Sequence, residues 1–482
     1  MKLLILSDLG NKPTRAGLLT NNSRPAAVYH IADIARKHDV DAEVIDYWRS
    51  WDYDLLVESI LTWFGSEKDC WISLSGSIDG SSTDAFKALV THLKQEVDLR
   101  VMLGGYRITV GESDWVDIAF IGRSVNIFEK WLQGEDISEY LHNAEPPTYK
   151  NKDRVIREDP VVIIPREEDF WQKEENMTIE LSLGCKFNCS FCGYDYRNNK
   201  NPVFAKKQII KDSLETAYYK FGIKEIILAD DTINEIDTKI ELLAEVVDEL
   251  DFEPNFMAFA RLDVLGAQRH QLEILKRARI NSMFFGIESL NPNVTKVIRK
   301  GGRPEKNFDT LQWIKDEYPD AFTYGNFING LTGDNEESIR YFTRAIIDQQ
   351  LLTSAGSNNL RLYSSLDNKE IMSDMDLYPE KFGYEIIGTD REWPELGYSS
   401  QHWKNDWTNS HEMADLNYWV DSSFSEGLVS KFTGHEMASL RATLPDQPWG
   451  NYNNTFHLHN RGARRAIKRY ITAKSNFLKG IA

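Results

Sequence analysis

Cysteine is scarce in this chain, with four residues in 482. That is too few for a secreted scaffold stapled by disulfides. Long apolar runs are missing too: no stretch of eighteen or more apolar residues occurs, which excludes an apolar helix long enough to span a bilayer. Positive charge is in deficit. The net charge is −18, with the acidic excess spread along the chain, so phosphate repulsion excludes a general nucleic-acid binder. The opening MKLLILSDLG has one lysine, meets charge at once and has no small-residue cleavage site. It reads as a β-strand rather than a signal peptide, and a cytoplasmic location is expected.

What is present reads as an α/β protein of two or three domains. Within residues 1–138, short apolar runs at Leu3–Leu6, Ala42–Ile45, Trp71–Leu74, Arg100–Leu103 and Ile118–Ile121 alternate with helical stretches at Pro25–His38, Leu55–Trp63 and Thr83–Glu96. This alternation predicts a Rossmann-like parallel sheet covered on both faces. Residues 139–176 are polar and carry Pro146, Pro147, Pro160 and Pro165, so a surface linker is expected, with one short strand at Val161–Ile164. A second βα series fills 177–366. Its strands are predicted at Thr178–Leu183, Glu225–Ala229, Asn255–Phe259, Ser282–Ile287, Thr323–Ile328 and Asn359–Tyr363, enough for a partial (β/α)6 barrel. Residues 367–482 are rich in tryptophan (Trp393, Trp403, Trp407, Trp419, Trp449) and are expected to form a small mixed cap and substrate region.

Three of the four cysteines fall in IELSLGCKFNCSFCGYDY, at Cys185, Cys189 and Cys192. The segment follows a predicted strand, and the loops at the carboxyl ends of parallel strands are where such folds place their chemistry. Soft thiolates select zinc or iron–sulfur centres. Structural zinc needs a fourth ligand, yet no histidine lies between His142 and His270, and Cys70 belongs to the first domain. Cys70 itself reads as a small buried hydrophobe. A metal-stabilised scaffold without catalysis remains the competing class.

The spacing C-x3-C-x2-C, with Phe191 before the third cysteine and Gly193 after it, resembles the signature of the radical S-adenosylmethionine (SAM) superfamily. The resemblance implies a [4Fe–4S] cluster on the three cysteines, with SAM chelating the fourth iron and being cleaved to a 5′-deoxyadenosyl radical. Further motifs match in order. EIILADDTIN presents Asp230 and Asp231, with Asn234 behind them, where related proteins accept from the SAM ammonium; helix-capping acids are the alternative. FMAFARLDVL places Arg261 towards the cluster or substrate. MFFGIESLNPNVTKVIRKG matches Gly286, Glu288 and Ser289, implying that Glu288 meets the ribose or amino group and Lys300 the carboxylate. FINGLTGDNEES supplies Gly330 and Gly333, which would let backbone approach the adenine. No residue is assigned to the chemistry on the substrate itself.

The domain order resembles the cobalamin-binding class, through SLSGS at 73–77 and LGGYRIT at 103–109. Two departures stand against the cofactor. SDLGNKPTRAG lacks the D-x-H-x-x-G histidine, and Gly122-Arg123-Ser124 replaces the usual acidic glycine step. The reading favours a domain that keeps the fold without cobalamin, with Gly104 and Gly105 as turn residues. Hydrogen abstraction on a small molecule or peptide is the main expectation, with an electron donor such as flavodoxin or ferredoxin. Cobalamin-dependent methylation is the alternative, and methylthiolation lacks a second cysteine set. His411-Glu412-Met413 and His435-Glu436-Met437 lack the second histidine of a zinc protease helix. The basic residues Arg461, Arg464, Arg465, Lys468, Arg469 and Lys474 are expected on a solvated terminal helix, with an acidic peptide or RNA as the alternative partner.

Overall fold

The computed structural model describes residues 1–7, 23–75, 80–105, 114–150, 158–194, 196–365, 372–393, 398–445 and 447–481. The segment that replaces D-x-H-x-x-G, and parts of SLSGS and LGGYRIT, lie outside them.

The chain opens with β1 (Lys2–Ser7); the short β2 (Ser23–Arg24) follows and joins the second sheet. Next come α1 (Ala26–Lys37), β3 (Asp41–Ile45), α2 (Tyr53–Phe64), β4 (Cys70–Ser75), α3 (Gly80–Leu93), β5 (Leu99–Gly105), β6 (Ile118–Ile121) and α4 (Val125–Leu132). The sheet order is β3-β1-β4-β5-β6, all parallel. Its strands are continuous apolar runs because both faces are buried; Leu3–Leu6 are at most 1% exposed. Cys70 is buried in this sheet.

Residues 141–150 are not linker. They form a hairpin, β7 (Leu141–Ala144) and β8 (Pro147–Lys150), whose second strand extends the first sheet beside β6. The prolines that argued for a loop are tolerated because Pro146 occupies the turn and Pro147 the first position of a strand. Val161–Ile164 joins no ladder; the Glu180 amide and carboxylate hold Val161 by single hydrogen bonds of 2.8 and 2.7 Å.

The second sheet holds β9 (Asn176–Ile179), β12 (Glu225–Leu228), β13 (Asn255–Ala260), β14 (Ile280–Glu288), β15 (Phe322–Asn329) and β16 (Ser354–Asn359) in sequential parallel order, with β2 completing the β9 edge. Between β9 and β12 lie the two-residue strands β10 (Ser182–Leu183) and β11 (Val203–Phe204), paired with each other, followed by α5 (Lys207–Phe221). Crossovers are completed by α6 (Asp237–Val247), α7 (Leu262–Ala267), α8 (Gln271–Arg277), α9 (Pro292–Val297), α10 (Pro304–Glu317) and α11 (Glu336–Asp348). The sixth strand sits earlier than predicted, because the apolar run at Leu360–Tyr363 belongs instead to β17 (Leu362–Ser365) of a separate antiparallel sheet with β18 (Glu385–Trp393) and β19 (Tyr398–Lys404).

The C-terminal region contributes α12 (Asp374–Leu377), α13 (Glu412–Gly427), α14 (Gly434–Thr443) and α15 (Tyr452–Leu478). Helix α14 fills the concave face of the second sheet: Met437 and Leu440 pack with Phe322 and Tyr324, and Ala438 packs with Ile227 and Met257. The basic tail helix is solvated on one face only: Arg461, Arg464, Arg465, Lys468 and Arg469 are exposed as expected, while its other face docks on the first domain. Ile467, Tyr470 and Leu478 enter the core of the first domain, and Lys474 is fully buried on Glu43 at 2.5 Å. Its apolar positions recur at helical spacing among the basic ones, so charge count alone hid the docking face. No helix among the described residues is long and apolar enough to cross a membrane.

Candidate active site

Because the second sheet is parallel throughout, Ile179, Leu228, Ala260, Glu288 and Asn329 end their strands on one rim. The cysteine loop follows the first of these ends and folds on itself. Cys185 N donates to Tyr196 O at 3.1 Å, Asn199 N to Cys185 O at 2.9 Å, and Asn198 N to Phe187 O at 2.8 Å. Two outside anchors hold it. Lys186 N donates to Glu235 Oε2 at 2.7 Å, and Ser190 binds the carbonyls of Val297 and Ile298 beyond α9.

Cys185 and Cys189 are buried and Cys192 is half-buried. Burial pushes the Cys185 thiol up and the Cys192 thiol up to about 12, with Asp231 and the other two sulfurs adding to the second shift. Such thiols ionise only against strong positive charge, as a metal centre supplies. Among the described residues no three Cys, His, Asp or Glu side chains form a site for one metal ion. A cubane assigns each thiolate to a different iron.

Arg261 faces this loop. Its Nη1 donates to Cys189 Sγ at 3.2 Å, its other nitrogens grip Asp263 at 3.0 and 2.7 Å, and the guanidinium lies 3.9 Å from the Phe187 ring centroid. Asn234 pins the Arg261 backbone from both sides, with Nδ2 to its carbonyl at 3.0 Å and Oδ1 from its amide at 2.8 Å. Asn234 therefore positions the arginine.

The aspartate pair divides. Asp230 is buried and accepts from Leu181 N at 2.8 Å and Ser182 Oγ at 2.7 Å, with Lys239 at 3.7 Å. It braces the turn after β9 rather than opening into the site. Asp231 beside it is exposed; crowding by the surrounding protein still raises its carboxyl to about 7, a hydrogen bond from Tyr194 opposing the shift.

Glu288 sits at a break in the β14–β15 register with φ of +64°, a strained backbone that aims its buried carboxylate along the rim. Lys300 Nζ meets its Oε1 at 3.0 Å and stands 5.8 Å from the Phe191 ring. Gly286 makes room for this pair, since a Cβ there would lie 2.6 Å from Glu288 Oε1 and 3.0 Å from Lys300 Nζ. Ser289 is turned away: its hydroxyl binds Asp334 at 3.3 Å and the Asn291 amide at 3.0 Å, shaping the next turn.

Gly330 also departs from expectation. A Cβ would collide with the Trp403 indole at 2.4 Å, and the Gly330 carbonyl already accepts from Tyr384 and Asn405 at 3.3 and 3.1 Å. It admits a tryptophan from the cap, not a ligand. Gly330→Ala is expected to cost about 1–3 kcal/mol by overpacking, read by thermal denaturation, with metal loading unchanged.

A cavity of about 570 Å³ lies between the two sheets. Its first-domain wall includes Ser73, Met102, Gly104, Gly105 and Gly122, at the carboxyl ends of β4 to β6, with Ala26 and His30 of α1. Its other wall is the barrel interior: Thr178, Ile227, Ala229, Phe259 and His435. Gly104 and Gly105 are thus strand residues that line a cavity, not turn residues. Gly122 has φ of +73°, and nothing lies within 4 Å of where its Cβ would be. Arg123 beside it is bound to Glu158 at 3.0 Å and Glu180 at 2.7 Å.

Residues 179–346 match the sequence profile of the Radical SAM superfamily. Those residues form a Radical SAM domain. Among curated relatives, an uncharacterized methyltransferase of Pyrococcus horikoshii is 27% identical over 33% of this chain and 34% of its own length. The ribosomal protein uS12 methylthiotransferase RimO of Carboxydothermus hydrogenoformans is 26% identical over 47% and 50%. The chain therefore spans about a third to a half of the length of these relatives. Among solved structures, the radical SAM methyltransferase TsrM of Kitasatospora setae superposes with a TM-score of 0.68 over 97% of this chain and 99% of TsrM, at 13% identity. The cobalamin-dependent radical enzyme OxsB gives 0.60 over 100% and 79%, also at 13%. The two-sheet architecture is common to all three.

Sequence reasoning placed the cysteines, Arg261, Glu288 and Lys300, which the fold brings to one rim. It missed Phe187, Asp263 and Tyr194, whose contacts bridge separate strand ends and leave no periodic trace. It met His435 only as a failed zinc motif.

Proposed function

We propose that this chain is an enzyme that holds a [4Fe–4S] cluster on Cys185, Cys189 and Cys192 and binds SAM against Glu288 and Lys300. The carrying observation is the shared rim. Three cysteines with an arginine N–H on one sulfur stand beside a buried carboxylate–ammonium pair whose backbone is strained into place. When bound, the cluster supplies the electron that cleaves SAM. The chain's own residues do the rest. Arg261 donates to Cys189 and tempers charge there. Glu288 offers an acceptor to the SAM hydroxyls or ammonium, Lys300 a cation to its carboxylate, and Phe191 an apolar flank. Asp231, raised towards neutrality, is the second acceptor on the rim. Asp230, Ser289 and Gly330 act as braces.

The test is anaerobic reconstitution with iron and sulfide, followed by SAM and dithionite; the expected product is 5′-deoxyadenosine. Absence of a cubane spectrum would overturn the reading. Gly286→Ala is expected to weaken SAM binding about tenfold, the size of one lost polar contact, with iron content unchanged. Equilibrium dialysis measures both.

A corrinoid is the second reading, favoured by the inter-sheet cavity. The crevice outside the carboxyl ends of an open parallel sheet is where such folds bind cofactors, and Gly104, Gly105 and Gly122 leave part of that wall without side chains. This would direct the enzyme towards methylation. Cobalamin retained one to one after anaerobic purification supports it; none retained removes it. Methylthiolation lacks ligands for a second cluster, since Cys70 is the only other cysteine. The substrate is a small molecule or peptide, and the reductant a flavodoxin or ferredoxin.

A further inference from the structure

His435 has no part in the cluster or SAM site, yet it occupies a telling position. It stands in the first turn of α14, the helix that plugs the barrel, and lines the barrel end of the inter-sheet cavity. Its ring is 5.3 Å from that of Phe259 and 6.2 Å from that of Phe284. Phe284 in turn lies 4.6 Å from Tyr324, so aromatic faces continue across the barrel floor. No hydrogen-bond partner for the imidazole occurs among the described residues. The half-buried imidazole lines the cavity and keeps a ring nitrogen for a ligand there.

The charges nearby are already used. Arg123 and Glu180 bind each other, and Arg24 is tied to Glu175 at 2.7 Å. Phe259 lies near the end of β13, two residues before Arg261, which follows that strand, so the imidazole sits one layer below the cysteine rim. Burial holds His435 at about 4, so near neutral pH the ring is unprotonated and keeps one acceptor nitrogen.

We propose that the barrel end of this cavity is the substrate slot and that it takes a planar, uncharged ring bearing an O–H or N–H, which donates to His435 while its faces lie against Phe259 and its neighbours. A cavity of about 570 Å³ is of the size that binds small molecules, roughly 300–1,000 Å³. The inference rests on the radical SAM reading, because it identifies what that chemistry meets.

The probes are 2-naphthol, a planar O–H donor, and 2-methoxynaphthalene, which has the same ring without the donor. Equilibrium dialysis uses the reconstituted full chain under nitrogen. His435→Phe preserves the aromatic packing and is expected to weaken 2-naphthol about tenfold, one hydrogen bond, while 2-methoxynaphthalene binds within about twofold of wild type, a difference too small to count as one. His435→Gln restores an acceptor and is expected to recover most of the loss. A merely structural histidine would change both ligands together, and that result, or no binding of either by wild type, overturns the slot. SAM cleavage is scored in the same preparations. Its loss in wild type with selective naphthol binding intact sinks the enzymatic reading and leaves the slot standing.

Discussion

Cys189→Ala is expected to strip the chain of its cluster and abolish reductive SAM cleavage. Iron per chain, the cubane absorption and 5′-deoxyadenosine are the three measurements, and all should fall together. A cubane held by three protein thiolates already leaves one iron to its cosubstrate, so losing another leaves half the corners without protein ligands. Cys189 is also the sulfur that receives the Arg261 N–H. The fold should survive, because Arg261 keeps both contacts to Asp263 and the loop keeps its anchors on Glu235 and beyond α9. Near-wild-type circular dichroism with no iron is the expected pair. Cys70→Ala, in the first sheet, should retain the cluster. Retention of a full cubane by Cys189→Ala would remove this cysteine from the ligand set.

Arg24→Ala is expected to cost about 3–5 kcal/mol of stability, the usual penalty for breaking a buried pair from one side. Arg24 is 1% exposed. It forks onto Glu175 at 2.9 and 2.7 Å, reaches Asp46 at 3.3 Å, and donates to Tyr29 at 2.9 Å and to the carbonyl of Asp169 at 2.6 Å. Trp171 and Tyr470 cover it, each 4.5 Å from ring centroid to guanidinium carbon. One side chain on β2 thereby joins the edge of the second sheet, the end of β3 and helix α15. Removing it leaves two carboxylates dry. Burial already pushes the Glu175 carboxyl up, with Arg24 the main opposing influence. In the variant that carboxyl binds its proton more tightly folded than unfolded. The deficit should therefore grow as pH climbs out of the ordinary glutamate range, and shrink in acid. Urea denaturation across pH measures this. Arg24→Lys should rescue little, since an ammonium cannot fork.

Much of this was readable in advance for a plain reason. Parallel strands buried on both faces must be apolar runs of four to six residues, so Leu3–Leu6, Ile118–Ile121 and Glu225–Leu228 announced themselves. The cysteine spacing is likewise local, because one short loop must bring three sulfurs to one centre. The sixth strand was displaced because an apolar run does not say which sheet it will join; Leu362 and Tyr363 pair with Gln401 and Ser400 instead. The 141–150 hairpin was missed because proline was weighed as a breaker without regard to its place at a turn.

Side-chain roles were less legible. Asp230 and Asp231 are adjacent and chemically identical, yet the turn after β12 buries one in hydrogen bonds with Leu181 and Ser182 and leaves the other exposed. Gly330 carried the same motif whether its missing side chain served a ligand or Trp403.

Sequence alone determined the parallel α/β architecture, the position of the cysteine loop at a strand's carboxyl end, and the candidacy of Arg261, Glu288 and Lys300. The first two depend on short-range pattern, and the third on motifs that resemble the radical SAM signature. Tertiary structure alone decided that the basic tail is a strap, that Arg24 is a rivet, and that Phe259 and His435 share a chamber. Those pairings join residues up to hundreds of positions apart, and only chain folding, which brings buried surfaces together, selects them.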